Sequence, residues 1–320
     1  MDNVVLKPRG QQGSAHGHTK YGVHIVHSGA RTPPSPPPPV RRKKKRGSLV
    51  RGAVVTIGAM LLTVAVIKAN DTFNAPNDQR AAVAGSAKDA RCSSDMTFVS
   101  DSGGGFCIDT YEASASKDCP LPDPQNQLQS NNNLSQPLCT PESVAGAMPW
   151  TNIPESQAME LCARAGKHLT KNAEWYRAAL GTPDDSSGST EGCVLGRTGA
   201  SHAEKTGAHS RCVSSAGAYD MVGNVWEWVD ANVSAGSYLG RTLPGEGYVA
   251  EVDVDGVPTE TATSSQAVFH NDYAYLKADG VYGMMRGGFW NLTDKAGPAS
   301  INATIPTSFT GIAVGFRCAR

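Results

Sequence analysis

The stretch GAYDMVGNVWEW, residues 217–228, sets two carboxylates, Asp220 and Glu227, on either side of a turn-forming Gly223-Asn224 pair and beside two tryptophans, Trp226 and Trp228. Oxygen donors of this kind suit a hard cation. Calcium takes about six to eight oxygens, mixing carboxylates with backbone carbonyls from a loop that can curl, and Gly-Asn lets the chain curl. Trp226 and Trp228 would pack inward and pin the loop. The same residues admit a purely structural arrangement, with Asp220 capping a turn and Glu227 paired with an arginine, and the residue types leave both open. A second acidic run, Glu251-Val252-Asp253-Val254-Asp255-Gly256, alternates like a strand entering a turn and reads as a solvated face rather than a cation site.

Cysteine offers the other chemistry. All eight cysteines lie between Cys92 and Cys318, and none belongs to a CxxC pair. Zinc sites use close pairs of that kind, whereas an even count in an exported segment reads as disulfides. No GxSxG elbow or phosphate-binding loop is present.

Two helices are readable among the elements that must hold these residues. The first runs from Pro154 to Gly166, with proline in the first turn, glycine at the stop, and Ala158, Leu161, Cys162 and Ala165 on one face. The second runs from Thr170, a cap, to Gly181. The rest is rich in Gly, Ser and Asn, with short strand-like runs at 106–108, 287–290 and 313–316. These features predict an α+β domain with long loops, which leans on staples such as disulfides and bound ions.

The chain ahead of that domain differs in kind. Residues 1–51 hold eleven Lys/Arg and one acid, whereas residues 69–320 hold seventeen Lys/Arg and twenty-eight Asp/Glu. An acidic globular part argues against a nucleic-acid partner, which needs a basic face. PPSPPPP, residues 33–39, favours polyproline II and packs no core. RRKKKR, residues 41–46, precedes the apolar run SLVRGAVVTIGAMLLTVAVI, residues 48–67. At about 1.5 Å per residue, a helix of that length spans the roughly 30 Å of bilayer hydrocarbon, and the basic flank places the N-terminus in the cytoplasm. A cleaved signal segment is the alternative, although its basic region would be long for one. The expected organisation is a disordered basic Pro-rich cytoplasmic tail at 1–47, a single-pass membrane anchor at 48–68, a stalk linker at 69–91 and one folded extracytoplasmic domain at 92–320, in periplasm or at the cell surface.

That domain resembles the formylglycine-generating enzyme, or sulfatase-modifying factor, family. The landmarks run in order: FCIDTYEAS (106–114), the PW.NI....A.ELC...GKHLT....EW..AA.G run (149–181), GAYDMVGNVWEW, RGGFW (286–290) and GFRCAR (315–320). The resemblance implies a C-type-lectin-like fold of low regular secondary structure. It implies a structural calcium held by the Asp220 side chain, the Gly223 and Val225 carbonyls and the Glu227 carboxylate. It also implies a disulfide from Cys162 to Cys318. Proximity in sequence alone suggests Cys92–Cys107, Cys119–Cys139 and Cys193–Cys212 for the others.

The resemblance breaks at the redox centre. Catalytic members of the family oxidise a cysteine of a client sulfatase to formylglycine, with copper held by two thiolates soon after the RGG motif; soft thiolates suit Cu(I). Those positions here are Leu292 and Gly297, and no cysteine lies between Cys212 and Cys318. A second catalytic branch uses non-haem iron with histidines from an added helical domain. No such domain precedes Cys92, and His168, His202, His209 and His270 are scattered. The residues therefore point to a non-catalytic binding or display module without copper. Its partner would be an extracytoplasmic protein or peptide, met by a surface that could include Trp290, Tyr273, Tyr275 and Tyr282. The alternative is a formylglycine-generating oxidase acting on a protein cysteine, or another metal-dependent oxidoreductase of the superfamily, using a site of different composition.

Overall fold

The structure is a computed structural model describing residues 91–184, 192–196, 201–292 and 294–320. The tail, the 48–68 run and the linker up to residue 90 lie outside the described residues. Among the described residues, no helix is long and apolar enough to cross a membrane.

In chain order the elements begin with strands β1 (Met96–Val99), β2 (Phe106–Asp109) and β3 (Ser114–Ala115), helix α1 (Gln127–Leu134), β4 (Pro141–Glu142) and helix α2 (Glu155–Arg164). There follow β5 (His168–Leu169), helix α3 (Asn172–Ala179), and, after a long loop, β6 (Trp226–Ser234), β7 (Ser237–Tyr238) and β8 (Arg241–Thr242). The chain closes with β9 (Gly247–Val252), β10 (Pro258–Ala262), β11 (Tyr273–Leu276), β12 (Val281–Arg286), β13 (Ile301–Ile305), β14 (Val314–Phe316) and β15 (Cys318–Ala319). The domain is therefore β-rich with few helices.

The largest sheet runs β10-β9-β11-β13-β12-β6-β7-β8, with β14 added in parallel to β6. A second sheet, β1-β2-β15-β5, closes the chain against its own start, because Ala319 pairs with Ile108 and Cys318 with Leu169. β6 shows how side-chain alternation places the core. Val229, Ala231 and Val233 face one way and pack with Trp175, Met284 and Ile301, whereas Asp230, Asn232 and Ser234 are exposed. Trp226 and Trp228, on the even face, join Trp150, Ile153, Leu161 and Phe316 in a second cluster. The start of β6 is thus buried on both faces, and charged groups there need partners.

Four disulfides join Cys92 to Cys107, Cys119 to Cys139, Cys162 to Cys318 and Cys193 to Cys212. Among the described residues, which include all eight cysteines, no free thiol remains.

Three local expectations need correction. Residues 287–290 are not a strand: Gly287 and Gly288 take φ of 90° and 94°, which turns the chain out of β12. Thr170 does not cap the second helix. Its hydroxyl donates to the Arg317 carbonyl at 2.8 Å, and α3 starts instead behind Lys171, whose N–H donates to Glu174 Oε2 at 2.9 Å. Finally, α1 is an additional helix, QLQSNNNL, capped by the Asn126 side chain, which accepts from the Gln129 N–H.

Candidate functional site

β6 enters the interior with Glu227 directly between Gly315 of β14 and Arg286 of β12. Arg317 follows β14 and reaches back to it. Its Nη2 donates to Glu227 Oε1 at 2.6 Å and its Nε to Oε2 at 2.7 Å, and Trp175 Nε1 from α3 donates to the same Oε2 at 2.6 Å. Nη1 and Nη2 of Arg317 also donate to the carbonyls of Asp109 and Tyr219. Both members of the pair are essentially without solvent exposure. Glu227 and the other carboxylates around Arg317 push its pKa further up, against the effect of burial.

The remaining acids lie around this pair. Asp220 sits at φ 56° in the tight turn before β6, and its Oδ2 accepts from the Gly207 N–H at 2.6 Å. Burial raises its pKa to about 6, opposed by that N–H and by Arg317. Asn224, also left-handed at φ 51°, clasps three segments. Its Oδ1 accepts from the Glu204 N–H, and its Nδ2 donates to Glu112 Oε2 at 2.7 Å and to the Glu204 carbonyl. Glu112 is fully buried and its Oε1 has no partner. Burial, then Asp220 and Glu227, push its pKa well above the ordinary carboxylate range. Arg317 and the Asn224 amide oppose that rise. Asp109 completes the network, accepting from Lys167 Nζ and the Cys318 N–H.

Of the four residues that the resemblance names for a calcium ion, the two carboxylates already have protein partners. Both Glu227 oxygens accept from Arg317 and Oε2 also accepts from Trp175, while Asp220 Oδ2 accepts from the Gly207 N–H. Among the described residues, no three His, Cys, Asp or Glu side chains gather in a way that could hold a metal. Gly223 belongs to the turn, where its N–H donates to the Gly287 carbonyl, and Val225 packs with Val194, Ala203 and Trp290. Glu227 pairs with an arginine, one of the arrangements its residue type leaves open.

The two copper positions implied by the resemblance carry no thiolate. Leu292 packs among Cys193, Leu195, Val222 and Ala296. At Gly297 the α-carbon abuts Asp272 so closely that a built Cβ would overlap Oδ1. Asp272 is itself notable: Oδ2 accepts from the Ala299 N–H at 2.6 Å, Oδ1 has no partner, and burial raises its pKa to about 7. The four histidines of the described domain stay apart. His168 pairs with Glu174, His209 with Glu204 and His270 with Asp184, while His202 bonds the Ala203 carbonyl.

Of the aromatic residues, Tyr273 and Tyr275 come together with Tyr248, with centroids 4.6 and 5.1 Å apart, and Lys295 lies 4.0 Å over the Tyr273 ring. Tyr282 is elsewhere, on β12 under Lys277, and Trp290 is interior at 8% exposure. The acidic run 251–256 ends β9 in a turn: Asp253 pairs with Arg241 and Asp255 with Arg177. Asp109, Glu112 and Arg317 lie inside the motifs FCIDTYEAS and GFRCAR, whereas Asp272 and Tyr248 belong to no motif of the sequence analysis. The signal available was a charged residue embedded in an apolar run, as in GFRCA and FCID.

Residues 105–320 match the family described as Sulfatase-modifying factor enzyme 1-like domain. No curated protein matches the chain. Similar solved structures include the Major Tropism Determinant I1 Variant, at 16% identity and TM-score 0.39, covering 71% of this chain and 52% of that one. PvdO from Pseudomonas aeruginosa matches at 15% identity and TM-score 0.38, over 70% of this chain and 90% of that one. Treponema denticola variable protein 1 matches at 15% identity and TM-score 0.38, over 70% and 91%. The chain spans about half the length of the Major Tropism Determinant variants.

Proposed function

The chain belongs to the sulfatase-modifying factor enzyme 1-like family, and from that premise we propose that it is a membrane-held member that binds an extracytoplasmic protein or peptide rather than oxidising one. The observation that carries this reading is the fate of cysteine. All eight are in disulfides, and the two positions where the resemblance calls for copper thiolates are an apolar-packed Leu292 and a Gly297 pressed against Asp272. Copper-thiolate oxidation needs a thiolate pair, and the chain keeps none available. The interior around Glu227 is a closed ion-pair network that supports a rigid display scaffold. The Tyr248–Tyr273–Tyr275 ladder with Lys295 is the recognition surface in this reading, since rigid aromatics with a polar tip give contact area at low entropic cost.

Four disulfides favour an oxidising compartment, which supports placing residues 92–320 beyond a single-pass anchor at 48–68, with 1–47 cytoplasmic and 69–91 as the stalk. Two measurements test the reading. Incubated with Cu(I), oxygen and a sulfatase-type cysteine peptide, the full chain is expected to leave the peptide mass unchanged; appearance of formylglycine overturns the non-catalytic assignment. The full chain is expected in the carbonate-resistant membrane fraction, and a chain lacking 48–68 in the soluble one.

A further inference from the structure

Four N-x-S/T sequences, the acceptor pattern for N-linked oligosaccharide, fall within residues 92–320: Asn133-Leu134-Ser135, Asn232-Val233-Ser234, Asn291-Leu292-Thr293 and Asn302-Ala303-Thr304. A glycan of this kind is bulky and belongs on the surface. Asn232 meets that need on the exposed face of β6, and Asn291 is exposed as well. Asn133 does not. It lies on the buried side of α1 and has no solvent exposure. Its Oδ1 accepts from the Leu121 N–H at 2.9 Å, and its Nδ2, the atom that would carry the sugar, donates to the Leu121 carbonyl at 2.7 Å. The amide thereby holds the chain after Cys119 against α1, inside the loop that the Cys119–Cys139 disulfide closes. One turn earlier, the Ser130 hydroxyl accepts from Trp150 Nε1 and donates to the Thr151 carbonyl.

In oligosaccharyl transfer, the asparagine Nδ2 attacks the anomeric carbon of a lipid-pyrophosphate-linked oligosaccharide. The carbon–oxygen bond to the pyrophosphate breaks, the lipid pyrophosphate leaves, and Nδ2 gives up one proton. The acceptor must be open to the transferase, and Asn133 is open until late in folding. α1 has no apolar stripe to form it early, Trp150 follows it in the chain, and the cluster that holds Trp150 is completed by Phe316 and Cys318 at the chain's end. In a lumen that contains the transferase, Asn133 is therefore met before it is enclosed, and a sugar on its Nδ2 then has no space in the folded domain. We propose that the fold excludes a glycan at Asn133, and that the domain matures in an envelope without N-x-S/T oligosaccharyl transfer, of the periplasmic kind, rather than in an endoplasmic-reticulum-type lumen. This rests on the extracytoplasmic placement proposed above and narrows it to one kind of compartment.

The test uses the full chain. Reduced and unfolded, it is treated with an N-x-S/T oligosaccharyltransferase and a lipid-linked oligosaccharide, then refolded in a glutathione redox buffer. Peptide mapping reads glycan occupancy in the molecules that recover all four disulfides. In that folded fraction Asn232 is expected to carry glycan and Asn133 none. Ser135→Ala removes the acceptor signal while keeping Asn133 and both of its bonds to Leu121, and Ser135 is exposed. That variant should refold after the same treatment as well as the untreated chain does. Translation into microsomes follows the nascent chain: lumenal parent chains should carry the Asn133 glycan and stay protease-sensitive, whereas lumenal Ser135→Ala chains become resistant. Folded molecules with a glycan on Asn133, or lumenal parent chains that fold with Asn133 bare, each overturn the proposal. Chains left outside the microsomes without any glycan contradict the membrane placement instead, and the refolding arm still decides whether the fold excludes the sugar.

Discussion

Glu227 and Arg317 are both removed from water, and neither is stable there alone. Desolvating either ion costs several kcal/mol, and only a two-pronged contact with further hydrogen bonds offsets it. Here the guanidinium makes two bonds to the carboxylate and two to carbonyls, and Trp175 gives the carboxylate a third donor, on Oε2. Arg317→Ala leaves a buried anion facing one indole N–H. We expect it to lower the unfolding free energy in urea by about 3–5 kcal/mol. A loss below about 1 kcal/mol, the worth of an exposed pair, would show that water reaches Glu227. The two residues were visible in the sequence, in VWEW and GFRC. Their partnership was not, because ninety positions separate them and no local periodicity links residues that far apart.

At the scale of elements, the short pieces near the termini depend on covalent ties. α2 carries Cys162 on its buried face beside Ala158 and Leu161, and β15 carries Cys318 next to Leu169 of β5. The disulfide between them closes a loop of 156 positions. A two-residue strand holds few backbone hydrogen bonds of its own, so the link fixes the chain end in the second sheet. Cys162→Ala with Cys318→Ala should cost about 2–5 kcal/mol and lower the melting temperature accordingly, read by calorimetry. α2 and α3 were legible because apolar residues recur at helical spacing. α1 was not: its middle is Ser-Asn-Asn-Asn, weaker helix formers, and it has no apolar stripe. It forms because buried Ser130 accepts from Trp150 Nε1 and buried Asn133 bonds the Leu121 backbone, contacts that exist only after folding.

At the scale of the molecule, buried carboxyls without counter-ions set the response to pH. Burial raises Asp272 and Glu155 to about 7 and Asp220 to about 6, from ordinary values near 3.8 to 4.5. In each case the folded state holds a proton that the unfolded chain has released between roughly pH 4 and 7. Their contribution is therefore complete below the unfolded pKa and is lost as pH rises through the folded one. The melting temperature should be higher at pH 5 than at pH 8. Asp272→Asn should flatten that slope and stabilise the domain at pH 8, because an amide keeps the acceptor for the Ala299 N–H and needs no proton. An unchanged slope in that variant would assign the effect to Glu155 and Asp220.

Composition and order, taken alone, settled the domain's kinship, its dependence on disulfides and the absence of thiols at positions 292 and 297. These follow from residue identity, which folding cannot alter. The tertiary structure decided what the identities leave open: that Glu227 meets Arg317, that Gly297 makes room for Asp272, and that Tyr248 joins Tyr273 and Tyr275 while Tyr282 and Trp290 stand apart. Each of these depends on segments far apart in the chain being brought within contact distance. A side chain's charge state, exposure and partner are properties of that enclosure rather than of the residue.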